Sequence, residues 1–229
     1  MRRPGLTRTR IVSAALELAD REGLDSVTLR RLAAELGVHV TSLYNHVSTK
    51  ETVLDGMIDI MVAGARLPTG PIEWEEWVRR FAASMRAVAQ RHPGAFAVFQ
   101  TRPVQGLDAA ASVEAALEAF LADGFEIAEA FSAVKATSHA VLGLVLEDRA
   151  RRESPTLRTD LSLLPPDAFP LMHAASATEA TADTWGYLIE ALIAGFATTR
   201  RGESRRRGAS GVATSGPGQT SPPSARRRR

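Results

Sequence analysis

At 229 residues, 45% of them hydrophobic, the chain can hold one small and one medium domain with a sizeable core. It has no cysteine, which excludes a disulfide framework and a thiolate metal site and fits a reducing cytoplasm. No apolar run reaches the length of a membrane span and no signal peptide opens the chain, so a soluble cytoplasmic protein is expected. The net charge of +2 hides a division. Residues 1–50 carry eight Lys and Arg against five Asp and Glu, residues 51–201 thirteen against twenty, and residues 202–229 seven Arg against one Glu. A positive head on an acidic body suits a protein that offers one end to a polyanion.

Met1 to Leu6 is a short basic lead. Thr7 is placed to cap a helix running to Glu22, with Ile11, Ala14, Ala15, Leu18 and Ala19 on one face, and Gly23 stops it. Ser26 is expected to cap the next helix, Val27 to Leu36, whose stripe is Leu29, Leu32, Ala33 and Leu36. Gly37 breaks that run. A short helix over Val38 to His46 follows, with Val38, Leu43 and Val47 inward and His39, Thr41, Ser42, Tyr44, Asn45 and His46 outward. Two short helices across a Gly turn form a helix-turn-helix, whose second helix enters the major groove of DNA. The outward hydroxyls, amide and imidazoles can bond base edges or phosphates. Taken alone, the pattern also fits a hairpin with a merely solvated polar face.

Ser48 and Glu51 read as a capping box for a fourth helix ending near Arg66, with Val53, Leu54, Met57, Ile58 and Met61 as its apolar stripe. Lys50 in its first turn would make a phosphate-binding corner. Pro68, Gly70 and Pro71 close the segment. The expected division is a helix-turn-helix domain at 1–50, a larger helical domain at 51–201, for which the family resemblance given below implies effector binding and dimerisation, and a disordered Arg-rich tail at 202–229.

In the body, helices are expected over 72–91, 107–123, 126–152 and 180–200, with a short helix or turn at 95–99 and a loop at 101–106. Pro103 keeps Arg102 extended. Residues 153–172 hold four prolines and are read as a loop with one short helix. Gly186 and Gly195 would permit close helix approach. From Gly202 on, the Gly, Ser, Pro and Arg mixture cannot bury a core. No strand pattern appears, so the fold class is all-α.

Catalysis finds no motif: no Gly-rich phosphate loop, no H-E-x-x-H, no G-x-S-x-G and no cysteine nucleophile. The histidines His39, His46, His92, His139 and His173 form no i, i+3 or i, i+4 ligand pair, so no metal or other cofactor is expected. The aromatic residues Trp74, Trp77, Phe81, Phe96, Phe99, Phe120, Phe125 and Phe131 are first of all core. Together they can also line an apolar effector pocket in which Thr101, Arg102, Ser138 and His139 fix orientation.

The stretch ALELADREGLDSVTLRRLAAELGVHVTSLYNHVSTKETVLDGM resembles the DNA-binding domain of the TetR family of bacterial transcription regulators. The matching pieces include Gly23-Leu24, Thr28-Leu29-Arg30, Leu36-Gly37-Val38, Leu43-Tyr44, His46 and Lys50-Glu51. Thr101-Arg102-Pro103, Phe120-Leu121, Asp123-Gly124-Phe125, His139 and Val145-Leu146-Glu147-Asp148 resemble the effector domain of the family's tetracycline-responsive members. The resemblance implies a ligand-responsive, dimeric repressor on a palindromic operator. It implies phosphate contacts from Thr28, Tyr44 and Lys50, groove contacts from Arg30, His39, Val40, Thr41, Ser42 and Asn45, and His46 at the groove edge. For the effector it implies Phe81, Met85, Val98, Thr101, Arg102, Pro103, Ala116, Phe120, Ser138, His139 and Glu147. Three of these depart from the tetracycline-binding pattern: Val98 stands at the magnesium-ligating histidine, Phe81 near an asparagine and Ala116 near a glutamine. A more apolar, metal-free effector is therefore expected. The rival readings are a DNA-binding regulator with no effector, an activator, or a helical enzyme or scaffold.

Overall fold

The computed structural model describes residues 5–102, 106–153, 164–178 and 183–210, and among them the regular structure is helical with no strand. Helix α1 (Arg8–Glu22) begins at Thr7, whose Oγ1 accepts from Arg10 N at 3.2 Å, and ends at Gly23 with φ 85°. The second helix starts later than the sequence suggested. Ser26 lies in a 3-10 turn over Leu24–Ser26 and its hydroxyl donates to Gly23 O, so it is not the cap. Thr28 takes that role for α2 (Leu29–Leu36), accepting from Arg31 N at 3.1 Å.

Gly37 closes α2 in the left-handed region (φ 65°, ψ 38°), where a side chain would be strained. Val38 N then reaches back to Ala33 O (3.0 Å) and Gly37 N to Ala34 O (3.2 Å), satisfying the last carbonyls of the helix. The following helix α3 (Val40–Tyr44) is shorter at both ends than expected, because Val38 belongs to this turn and His39 is the residue before the helix. Helix α4 (Lys50–Ala63) is capped by Thr49, which accepts from Thr52 N at 3.2 Å. The expected box from Ser48 to Glu51 is thus displaced by one residue, and Ser48 shares a hydroxyl contact with Thr52 instead. The chain leaves the helix at Gly64, before the expected end at Arg66.

Burial ties α1, α2, α3 and α4 into one small core containing Ile11, Leu18, Val27, Leu32, Leu43 and Met57. The α1–α4 crossing is close: a Cβ on Gly56 would lie 2.7 Å from Val12 Cγ2. The body comprises α5 (Trp74–Arg91), α6 (Val98–Thr101), α7 (Leu107–Ala122), α8 (Ile127–Glu153), α9 (Pro170–Thr178) and α10 (Thr184–Ser210). Helices α5, α7 and α10 pack around α8, and α4 packs on α6 and α7. Trp74, Phe120, Phe125 and Phe196 form an aromatic cluster with ring centroids 5.0 to 6.4 Å apart. The Trp74 indole N–H donates to Asp123.

Several expectations for the body change. Phe131 is half-exposed, with Lys135 over its ring, and is not core. Helix α9 opens on Pro170, a residue suited to a first helical position, and so lies beyond most of the segment in which a short helix was expected. Asp183 caps α10 by accepting from Gly186 N at 2.9 Å, which places its start after Ala180. Among the described residues of this one chain, a Cβ on Gly186 would meet Asp183 first and one on Gly195 would meet nothing within 4 Å, so any close approach there would be to a second chain. Helix α10 continues to Ser210, past the Gly202 boundary expected for the tail. Residues 211–229, with the Arg226 to Arg229 run, lie outside the described residues.

Besides the packing of α4 on α6 and α7, two polar links join head and body. Asp20 of α1 bonds His92 Nδ1 (2.8 Å) and accepts from Ala95 N (3.0 Å), while Gly94 sits so close to Ala19 O that a Cβ would overlap it. On the other side, Arg102 after α6 bonds both carboxylate oxygens of Asp55 in α4.

Candidate DNA-contacting edge and effector cavity

The turn at Gly37 aims α3 outward by burying Leu43 (0% exposed) and Val47 (1%) beneath it. Thr28, Arg30, His39, Thr41, Tyr44, Asn45 and His46 are exposed on this edge, and Val40, Ser42 and Lys50 are half-buried. All ten residues expected to meet DNA thus lie on α2, on α3 and its flanks, or at the start of α4. Thr28 Oγ1 is engaged as the cap of α2, which leaves its hydroxyl proton free to point outward.

Two adjacent arginines have different fates. Arg31 is fixed by Glu22 (2.7 Å) and Glu35 (3.0 Å), whose bonds and charges raise its pKa, with Arg21 also on Glu35. Arg30 is exposed and has no ion-pair partner among the described residues, so its planar fork is available. At the start of α4 the expected corner is more crowded than the sequence implied. The Glu51 carboxyl is held below the usual range by its own backbone N–H and by Thr49. An anion already occupies that helix end, and a phosphate there would depend on the Lys50 ammonium.

The second feature is a cavity of about 470 Å³ between α4, α5, α7 and α8, within the range that takes drug-sized ligands. Its wall is mostly apolar: Val62 and Leu67, Trp77, Phe81 and Met85, Phe99, Ala109 and Val113, Val134 and Leu142. The polar contributions are Ser112, Glu114 and Ser138. Trp77 and Phe81 stack in this wall at 4.9 Å and 13°.

Of the residues expected to line such a site, Phe81, Met85 and Ser138 do. The others are elsewhere. Val98 is fully buried below the wall, and Thr101 is exposed, its hydroxyl donating to Val98 O. Arg102 is turned to Asp55, and Pro103 lies outside the described residues. Ala116 and Phe120 continue the α7 stripe beyond the cavity, where the aromatic cluster fills the space. His139 and Glu147 are exposed and outside the wall. No group of three or more His, Asp or Glu among the described residues is arranged to hold a metal. The lining residues that sequence reasoning missed include Ala109, Ser112 and Val113, small side chains at i, i+3 and i+4 that leave room where larger ones would fill it.

Residues 11–57 match the bacterial regulatory proteins of the tetR family, and residues 67–200 match the tetracyclin repressor-like C-terminal domain. An HTH-type transcriptional regulator of Saccharopolyspora erythraea is 40% identical over 163 residues, covering 70% of this chain and 69% of that protein. The class D tetracycline repressor protein of Escherichia coli is 32% identical over 199 residues, 83% of this chain and 89% of that one. Among solved structures, Streptomyces coelicolor ActR in complex with actinorhodin superposes with a TM-score of 0.72 at 27% identity, over 86% of this chain and 97% of that chain. An N-terminal helix-turn-helix with an exposed polar edge, a helical body matched over residues 67–200 and likeness to named regulators over 70% and 83% of the chain converge: the chain belongs to the TetR family, and it is a DNA-binding transcription regulator, not an enzyme.

Proposed function

We propose that the protein is a homodimeric repressor that holds a palindromic operator through α3 and releases it when a small, largely apolar, metal-free molecule fills the body cavity. The observation that carries this reading is that α4 belongs to both features. Lys50 at its first residue stands beside α3, and Val62 near its last turn is part of the cavity wall. The two are about 18 Å apart along one rigid helix at 1.5 Å per residue. A molecule that reshapes the wall at Val62 and Phe99 acts on the element that orients the DNA-contacting edge, and the Arg102–Asp55 pair ties α6 to α4. The effector works by binding the DNA-released arrangement more tightly than the DNA-bound one.

In this reading Thr28, Tyr44 and Lys50 meet phosphates. Arg30, His39, Val40, Thr41, Ser42 and Asn45 face the groove, with His46 at its edge. Pairing two copies about one helical turn apart supplies the specificity that one five-residue helix cannot. A dimer is also typical of the family. The relative crystallised with actinorhodin supports a small-molecule occupant. The test is footprinting of the purified protein on DNA upstream of its own gene, with a compound panel added. A protected inverted repeat that is lost when a compound binds is the expected result; a protected site that no cavity-binding compound releases would contradict the effector half.

A further inference from the structure

Helix α10 outruns the body it packs on. Its first part lies antiparallel to α5: Arg86 sits over the Trp185 ring, Arg79 bonds both carboxylate oxygens of Glu190, and Trp74 meets Phe196. The last anchor among the described side chains is Arg200. Its guanidinium donates to Asp123 O at 2.9 Å and lies 5.9 Å from the centre of the Phe125 ring. Asp123 also holds the Trp74 indole, so Arg200 stands at the start of α5. The head joins at the other end of α5, where Asp20 meets His92. The 18 residues of α5 separate the two points by about 27 Å at roughly 1.5 Å each, and α10 runs away from the head. From Arg200 it stays helical to Ser210, about 15 Å further. That stretch carries Arg201, Arg205, Arg206 and Arg207 against Glu203, and its other residues are only Gly, Ser and Ala. A protein interface is built on a buried apolar or aromatic core, and this composition supplies none. A helix without an apolar stripe likewise gains nothing by packing on its own body. Its asset is charge. The cations are all arginines, whose planar forks pair phosphate oxygens two at a time. Arginines set along a duplex release its condensed counterions, which drives sequence-independent binding.

We infer that the end of α10 is a second DNA-binding surface, which takes the phosphate backbone of a duplex other than the one the head holds and does not read its sequence. Head and extension lie at opposite ends of α5, so one molecule bridges two stretches of DNA. The head chooses the site, and Arg205, Arg206 and Arg207 add a hold on any duplex beside it.

The test uses the full-length protein on bead-immobilised DNA from upstream of its gene. After washing, a fluorescent duplex of unrelated sequence is added. The parent is expected to capture this second duplex, with an affinity that falls steeply as salt rises. The triple variant Arg205→Gln, Arg206→Gln, Arg207→Gln should lower the slope of log affinity against log salt by about three and weaken capture roughly tenfold or more at low salt. Lys at the same three positions keeps the charge and restores capture. Affinity for the immobilised DNA and the melting temperature stay at parent values in both variants. A bound parent that captures no second duplex overturns the inference, as does a Gln variant that captures like the parent. So does a lower melting temperature in the Gln variant, which assigns the arginines to the acidic body, or a loss confined to the immobilised DNA, which assigns them to the first duplex. Poly-glutamate that blocks capture at the charge concentration of the duplex itself would make the partner an acidic polypeptide and overturn it too. Upstream DNA that never binds sinks the repressor reading alone; the unrelated duplex is then titrated by itself, with the same loss expected in the Gln variant and an unchanged affinity again overturning the inference.

Discussion

Arg30 and Arg31 show how a single residue's surroundings decide its use. Arg31 is spent on Glu22 and Glu35, and the fork of Arg30 stays open on the same edge as Thr41 and Asn45. A guanidinium so placed matches O6 and N7 of guanine. Arg30→Ala is therefore expected to weaken the cognate site by about 1–3 kcal/mol and relax base choice at one position, read by competition anisotropy. Equal loss on scrambled DNA would assign it to phosphate instead. At this scale the sequence was informative where the signal was local. Thr7, Gly23 and Gly37 act where they stand, since a cap or a left-handed turn depends on its immediate neighbours. Ser26 and Ser48 misled because two capping residues stood close together in each case, and the 3-10 turn that selects Thr28 over Ser26 depends on backbone geometry that residue type does not reveal. The cavity residues were legible only in part. Ser138 faces the cavity, whereas His139 is one step of 100° further round the helix and Glu147 is five residues beyond Leu142, so both leave that face. Val98 offers no metal-ligating atom, and His139 and Glu147 lie outside the described cavity wall, which is what supports the proposed metal-free effector. Calorimetry should show no magnesium-dependent tetracycline binding, and tight binding would refute the metal-free effector.

Among the elements, α4 is the one through which the proposed coupling runs. Its bare backbone at Gly56 lets α1 approach, so the head rides on it as one packed unit. Gly56→Val would push Val12 away and is expected to cost about 1–3 kcal/mol of unfolding free energy in denaturant titrations. Unchanged stability would mean that the crossing is loose. The Arg102–Asp55 pair is the second joint. Arg102→Ala should leave basal operator affinity near that of the parent but raise the effector concentration needed for half-release several-fold, because one link between α6 and α4 is gone. Identical release curves would remove the pair from the switch. The stripe of each helix was readable from its spacing, which is why the element order matches the sequence pattern. The ends of α9 and α10 were not, since Pro170 at a first position and Asp183 as a cap mark starts that composition averages blur.

For the whole molecule, the charge division seen in the sequence becomes a working asymmetry. Residues 1–50, net positive, hold α2 and α3, while the acidic body, residues 51–201, holds the cavity. A positive end favours duplex DNA in general, and in the proposed reading the exposed edge of α3 adds the choice of sequence. The most direct test is an anisotropy titration of the full-length protein on the inverted repeat upstream of its gene and on a scrambled duplex of equal length, at 150 mM salt as a rough physiological value. The account predicts two protomers per duplex and a preference for the repeat on the order of a thousandfold or more. A single protomer binding both duplexes alike, or binding neither, would contradict it.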